Sequence, residues 1–268
     1  MRCLYRETKY FCGDFLEVDI YPIFRPSLKK RKAKAKPTEE AQKKLNDHNA
    51  EKKLIRLVNA NFTEDDIRLD LTYADAFVPD SDEGACRDLR NYLRRLKRLC
   101  KKLGIQLKYI ATTERGKRKG RYHHHILLPG GIPTRELARL WGKGYPTVKP
   151  LVFNEVGLAG IAVYLMKDSI YGKRWIASQN LIRPVPKQRD GRISATMAAL
   201  LARDSEDRKI FEDLYPGWKY AEVRPIYNEI NSHTYLCIRM YRDKSAKNGS
   251  KRTKAAKTRN NRKMPARE

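Results

Sequence analysis

The chain alternates apolar and polar positions over Asp14 to Phe24 (DFLEVDIYPIF), which predicts a strand rich in β-formers. Pro37-Thr38-Glu39-Glu40 reads as a helix start, with Thr38 as cap and acids in the first turn. That helix is expected to run to about Val58, with Leu45, Ile55 and Val58 as its few apolar positions, before Asn59 to Phe62 break it. Ile67 to Tyr73 (IRLDLTY) alternates again and predicts a second strand. Glu83 to Leu103 carries Leu89, Tyr92, Leu93, Leu96, Leu99, Cys100 and Leu103 at steps of three and four, an amphipathic helix stopped by Gly104. Its opposite face is basic, with Arg87, Arg90, Arg94, Arg95, Lys97, Arg98, Lys101 and Lys102.

Ile105 to Glu114 and Tyr122 to Leu128 read as a hairpin around the basic turn Arg115 to Arg121 (RGKRKGR), closed by Pro129-Gly130-Gly131. Thr134 is expected to cap a short helix to Trp141, and Thr147 to Phe153 to form a strand. A helix follows from Asn154 or Glu155 to about Lys167, and another spans Ser194 to Phe211. Tyr220 to Asn228 and Thr234 to Tyr241 read as a closing hairpin. Helices mixed with antiparallel hairpins predict an α+β fold.

Charge narrows the function. The 268 residues hold 58 Lys and Arg against 31 Asp and Glu, a net charge of +27. Such self-repulsion has no use in a typical metabolite enzyme and points to a polyanionic partner. Residues 243–268 hold +8 and read as a disordered basic tail, and residues 25–36 add +7 as a basic linker. The remaining 230 residues still carry +12, so the folded body is itself basic, as a surface holding a phosphate backbone is. The longest apolar run, Gly157 to Met166, is too short to span a bilayer, so no membrane association is expected. Met1 to Arg6 has charge but no apolar stretch of secretory type, and the five cysteines form no CxxC pair. The expectation is a cytoplasmic protein with reduced thiols, Cys3 and Cys12 included.

Two constellations carry candidate chemistry. In a strand, His123 and His125 share one face and His124 takes the other. If Glu114 pairs with His123 across the hairpin, Glu114 joins His123 and His125 on that face. Two imidazoles and a carboxylate form a three-ligand set with open positions, as a catalytic metal needs. The register carries this reading, since a slip of one residue flips a side. The plain alternative is a polar pair on a half-exposed strand. Leu158 to Lys167 (LAGIAVYLMK) places Tyr164 and Lys167 three apart on one helix face. An ammonium or metal ion beside a phenol favours phenolate, a nucleophile for phosphate. The plain alternative is a core tyrosine.

In order, Leu71-Thr72-Tyr73, Glu114, His123-His124-His125 and Tyr164-Leu165-Met166-Lys167 resemble the HUH endonucleases, specifically the single-tyrosine rolling-circle replication initiators of plasmid- and phage-like elements. The resemblance covers roughly residues 40–185 and implies a central five-stranded antiparallel sheet with flanking helices. It implies Mg²⁺ or Mn²⁺ held by His123, His125 and Glu114, with Tyr164 as nucleophile and Lys167 as its helper. It departs from the family's pattern at His124, where a hydrophobic residue is usual, and it has no second tyrosine four residues after Tyr164; Tyr171 is seven on. No GxxxxGK[ST] occurs, so no helicase motif accompanies it. Four segments are expected: 1–60 (strand, basic linker, helix), 61–185 (endonuclease core), 186–242 (helix and hairpin packed on the core) and 243–268 (tail).

The implied substrate is single-stranded origin DNA, and host helicase and polymerase are the implied partners in a bacterial cell. Arg115, Lys117, Arg118, Lys119, Arg121, Arg94 and Arg98 are the expected DNA contacts. A non-catalytic basic nucleic-acid-binding protein, and a relaxase or transposase using the same chemistry, are the competing readings.

Overall fold

A computed structural model of the chain describes residues 4–24, 39–116, 120–167, 170, 174–228 and 232–243. The basic linker, the Thr38 cap, Lys117 to Lys119, Tyr171 and the tail beyond Asp243 lie outside the described residues.

The elements in chain order are β1 (Leu4–Cys12), β2 (Phe15–Ile23), α1 (Glu39–Asn61), β3 (Ile67–Thr72), a 3-10 turn (Asp75–Phe77), α2 (Asp82–Lys102), β4 (Ile110–Arg115) and β5 (Tyr122–Leu128). There follow α3 (Thr134–Trp141), β6 (Pro146–Pro150), α4 (Ala159–Met166), β7 (Ile176–Ala177), β8 (Lys187–Asp190), α5 (Ala195–Arg203), α6 (Arg208–Leu214), β9 (Lys219–Asn228) and β10 (His233–Tyr241). The fold is α+β, as expected, and the described residues form two five-stranded antiparallel sheets.

The first sheet has the order β6-β3-β5-β4-β7. Alternation along its strands divides its side chains between two helical layers. Leu69, Leu71, Ala111, Tyr122, Ile126 and Leu128 face α2 and pack on Leu89, Tyr92, Leu93 and Leu96. The Ser81 hydroxyl caps α2 by accepting from the Gly84 N–H at 3.1 Å, and Gly104, at φ +70°, ends it in the left-handed region. Ile110 and Leu127 face the other way, into a core built by Leu54 and Val58 of α1 and Ala162 and Leu165 of α4.

The second sheet, β8-β1-β2-β10-β9, joins the N-terminal strands to the C-terminal hairpin. Its outer face packs Tyr5, Leu16, Ile20 and Ile238 against α5 and α6. Its inner face meets α1 through charge. Arg56 of α1 donates to Glu17 at 2.7 Å and to Asp19 at 2.6 Å, and Lys52 also pairs with Asp19. Helix α1 therefore serves both sheets, one side through an apolar strip and the other through an ion-pair layer. That accounts for how few apolar positions its sequence shows.

Several boundaries differ from expectation. Strand β1 is absent from the sequence reading because its charged Glu7 is buried, held by Tyr215 Oη at 2.8 Å and by Arg192. The helix expected over 194–211 is two helices, broken after Arg203 and restarted where Asp207 accepts from the Lys209 N–H at 3.0 Å. Thr134 is the first residue of α3 rather than its cap, a position held by Pro133 with no side-chain bond. Strand β4 starts at Ile110, not Ile105, and α4 starts at Ala159, since Asn154 and Gly157 close a tight bridge ahead of it.

Candidate active site

The register is the one the metal reading requires: Glu114 pairs with His123, and Thr112 with His125. On the other side of β5, Asp70 pairs with His125 and Thr72 with His123. Alternation then gathers Arg68, Asp70, Glu114, His123 and His125 on the sheet face covered by α4. Tyr164 of α4 comes down on this face.

His125, almost fully buried, is the hub. Its Nδ1 lies 2.7 Å from Asp70 Oδ1, and its Nε2 lies 3.2 Å from Glu114 Oε1 and 3.3 Å from Tyr164 Oη. The His125 and Tyr164 rings meet edge to face at 5.0 Å. Burial pushes the Asp70 carboxyl up, but its hydrogen bond to His125 and the charges of His125 and Arg68 outweigh that and hold it below the ordinary value. Asp70 is thus an acceptor, and it fixes the proton on Nδ1. The Nε2 lone pair is left facing Glu114 and the Tyr164 hydroxyl.

Tyr164 is partly exposed. Its phenol is held above the ordinary tyrosine value by partial burial and by the Glu114 and Asp70 carboxylates, while Arg68 pulls the other way. The Arg68 guanidinium carbon stands 5.2 Å from the Tyr164 ring centre and its Nη2 donates to Asp70 at 2.9 Å. Arg68 and Asp70 were not singled out by the sequence reading. Their signal was their alternation within β3, opposite His123 and His125. Lys167 does not share a helical face with Tyr164, because α4 ends at Met166 and Lys167 turns out into solvent with ψ 129°.

His123 is half-buried and its ring rests over Gly116, where a Cβ would lie 3.4 Å from Nε2. Burial lowers its pKa. The donor atoms of Glu114, His123 and His125 do not all lie within 4.8 Å of one another; among the described residues that spacing is met by Glu17, Asp19 and Cys237. The latter cluster is a poor cation site. Its two carboxylates already face Lys52, Arg56 and Arg239, and burial pushes the Cys237 thiol up to about 12, where it stays protonated. The donor chemistry of Glu114 and His125 suits a divalent ion better. An imidazole lone pair and a carboxylate oxygen stand 3.2 Å apart with no proton between them. A turn of the His123 ring away from Gly116 completes the set.

His124 faces α2, fully buried. Thr113 Oγ1 lies 2.8 Å from its Nδ1 and Tyr73 Oη 2.9 Å from its Nε2. Tyr73 Oη donates to Asp88 at 3.2 Å, so it accepts from Nε2–H, and Thr113 donates to Nδ1. Burial pushes the His124 pKa down to about 3, which keeps the ring neutral. The polar middle residue is thereby satisfied, and Tyr73 at the end of the strand becomes its partner.

The loop that launches α4 is fixed by α1. Buried Asn59 accepts from the Leu158 N–H at 2.8 Å and donates to the Val156 carbonyl at 3.3 Å. Gly157, at φ +70°, has no room for a Cβ, which would fall 2.4 Å from Asn59 Oδ1.

The expected DNA contacts divide between two places. Arg115 and Arg121 flank the hairpin end beside His123, with Arg121 paired to Asp75. Arg94 and Arg98 are exposed on α2, across the sheet from Tyr164.

Residues 67–169 match the family model of the replication-associated protein ORF2, which supports a replication initiator. The matched stretch runs from β3 to just past α4 and holds every residue of the Tyr164 site. No curated protein and no solved structure matches the chain. Among the described residues no helix is long and apolar enough to cross a membrane.

Proposed function

We propose that the chain is a rolling-circle replication initiator of HUH type that nicks single-stranded origin DNA through Tyr164. One observation carries the reading: a single imidazole nitrogen, His125 Nε2, faces both Glu114 at 3.2 Å and the Tyr164 hydroxyl at 3.3 Å. A structural tyrosine has no need of a buried histidine oriented by an aspartate.

Attack by Tyr164 Oη on phosphorus forms a 5′-phosphotyrosine and breaks the bond to the 3′ oxygen, which leaves as a 3′-OH primer. The phenol gives up a proton and the departing oxygen takes one. Asp70 holds the His125 ring in place throughout, and Arg68 offsets negative charge gathered at the ring of Tyr164. Mg²⁺ or Mn²⁺ held by Glu114, His125 and His123 would supply Lewis-acid polarisation of the scissile phosphate. Arg115 and Arg121, with Lys117, Arg118 and Lys119 of the same turn, are placed to hold backbone phosphates next to this face. Lys167, exposed one step past α4, reaches the same end of the site. The covalent ester keeps the energy of the broken bond, so the reverse transfer religates a circle. Host helicase and polymerase would take up the primer.

The raised pKa of Tyr164 is the observation that favours a non-catalytic DNA-binding protein instead. One experiment separates the two. Single strands tiling the element that encodes the chain, labelled at the 3′ end, are incubated with protein and Mn²⁺ and run on a denaturing gel. The initiator reading predicts a labelled protein band that chelator removes; free label at every tile contradicts it.

A further inference from the structure

Helix α2 carries Arg87, Arg90, Arg94, Lys97, Arg98 and Lys101 along one exposed stripe. Among the described residues none of the six forms an ion pair with a carboxylate. From Arg87 to Lys101 the stripe is about 21 Å long at the helical rise. Like charges three and four apart cost a helix about 0.2–0.5 kcal/mol per pair. The fold gains nothing from that repulsion, since the opposite side of α2 supplies all its packing. The stripe forms one wall of an open groove of about 1010 Å³, whose other wall is Ile105 to Tyr109 and the segment Ala177 to Asn180. A second recess of about 640 Å³ extends it toward Arg87 and shares Arg94, Lys97 and Tyr109.

The far wall is pinned in place. The Tyr109 N–H donates to Ser178 Oγ at 3.0 Å, the Ser178 N–H to the Tyr109 carbonyl at 3.0 Å, and Asn180 Nδ2 to the Leu107 carbonyl at 3.0 Å. The groove is therefore shaped before anything enters it. It offers cations along one side and one aromatic ring, Tyr109, common to both recesses. Cations tracking a backbone beside an aromatic surface are what a single strand requires. A duplex or a lipid surface is convex or flat on this scale and does not enter a recess beside a helix.

We propose that this groove is a second track for single-stranded DNA, on the α2 side of the sheet, holding strand that lies outside the segment at Tyr164. The inference rests on the proposed action on single-stranded DNA. It assigns a place to the flanking strand, which the Tyr164 face does not provide.

The test uses the full chain in chelator, so that binding is read without cleavage. A fluorescent dT20 carrying photoreactive 5-iododeoxyuridine is titrated by anisotropy across a salt series, then cross-linked and mapped by mass spectrometry. Cross-links at Tyr109 are expected. The variant R90E/K97E/K101E is expected to bind at least about tenfold more weakly, with its salt slope shallower by roughly two, as three lost phosphate contacts on a single strand imply. Cross-links confined to the Tyr164 face, or an unchanged slope in a variant with native circular dichroism, would overturn the proposal. So would equal competition by a blunt duplex or by anionic vesicles. If the triple variant does not fold, the wild-type cross-link map decides. Groove cross-links without any covalent adduct in the Mn²⁺ reaction would overturn the nicking reading alone; an adduct without groove cross-links would overturn the groove alone.

Discussion

Asp70 and His125 sit opposite each other on β3 and β5, and Asp70 Oδ1 lies 2.7 Å from His125 Nδ1. This contact determines which nitrogen of His125 is free to act. Asp70→Asn replaces a carboxylate acceptor with an amide and loosens both tautomer and ring orientation. Mn²⁺ affinity, measured by calorimetry, should fall about 10- to 100-fold, the usual loss when the orienting partner of a metal-binding histidine is removed. The thermal midpoint should move little, since Asp70 is at the edge of the core.

Asn59 and Gly157 set the start of α4 and hence the position of Tyr164. Asn59→Ala leaves the Leu158 N–H buried without an acceptor and should cost about 1–3 kcal/mol in urea unfolding. Gly157→Ala places a methyl group against Asn59 at a left-handed backbone position and should destabilise the chain by a similar or larger amount. Any adduct formation by Tyr164 should slow in both variants, read as the initial rate on a denaturing gel.

His124 supplies an acid-sensitive element. Its folded pKa, about 3, lies below the 6.5 of an unperturbed histidine, so the folded state resists taking its proton. The stability this contributes is complete above pH 6.5 and is lost as pH falls toward the folded value. Unfolding free energy should drop by about 1.4 kcal/mol per pH unit over that window from this group alone. His124→Gln removes the titration, and its stability curve between pH 6 and pH 4 should be shallower than that of the wild type by one proton.

The histidine hairpin was legible in the sequence because Glu114 and His123 flank a short turn. Period-two alternation then predicts which side chains share a face, and the register bears that prediction out. Helix α2 was legible through its apolar steps and Gly104. Asp70 and Arg68 were not, since a polar residue within an alternating strand looks like exposed surface until the neighbouring strand is known. The second sheet was hidden for a related reason. Glu7 and Glu17 are buried and neutralised by Arg192, Arg56 and Arg239, partners far away in the chain, so charge stands where the pattern demands an apolar residue. Lys167 shows the reverse error. Spacing placed it on the Tyr164 face, but the helix ends one residue too soon.

The central claim is that Tyr164 is the nucleophile. Wild-type protein and Tyr164→Phe should be incubated with Mn²⁺ and the cleavable single strand, and the adduct digested and mapped by mass spectrometry. The account predicts a nucleotide on the peptide containing Tyr164 and no adduct from the phenylalanine variant, which should still bind the strand. An adduct on another tyrosine, or one formed by Tyr164→Phe at the wild-type rate, would contradict it.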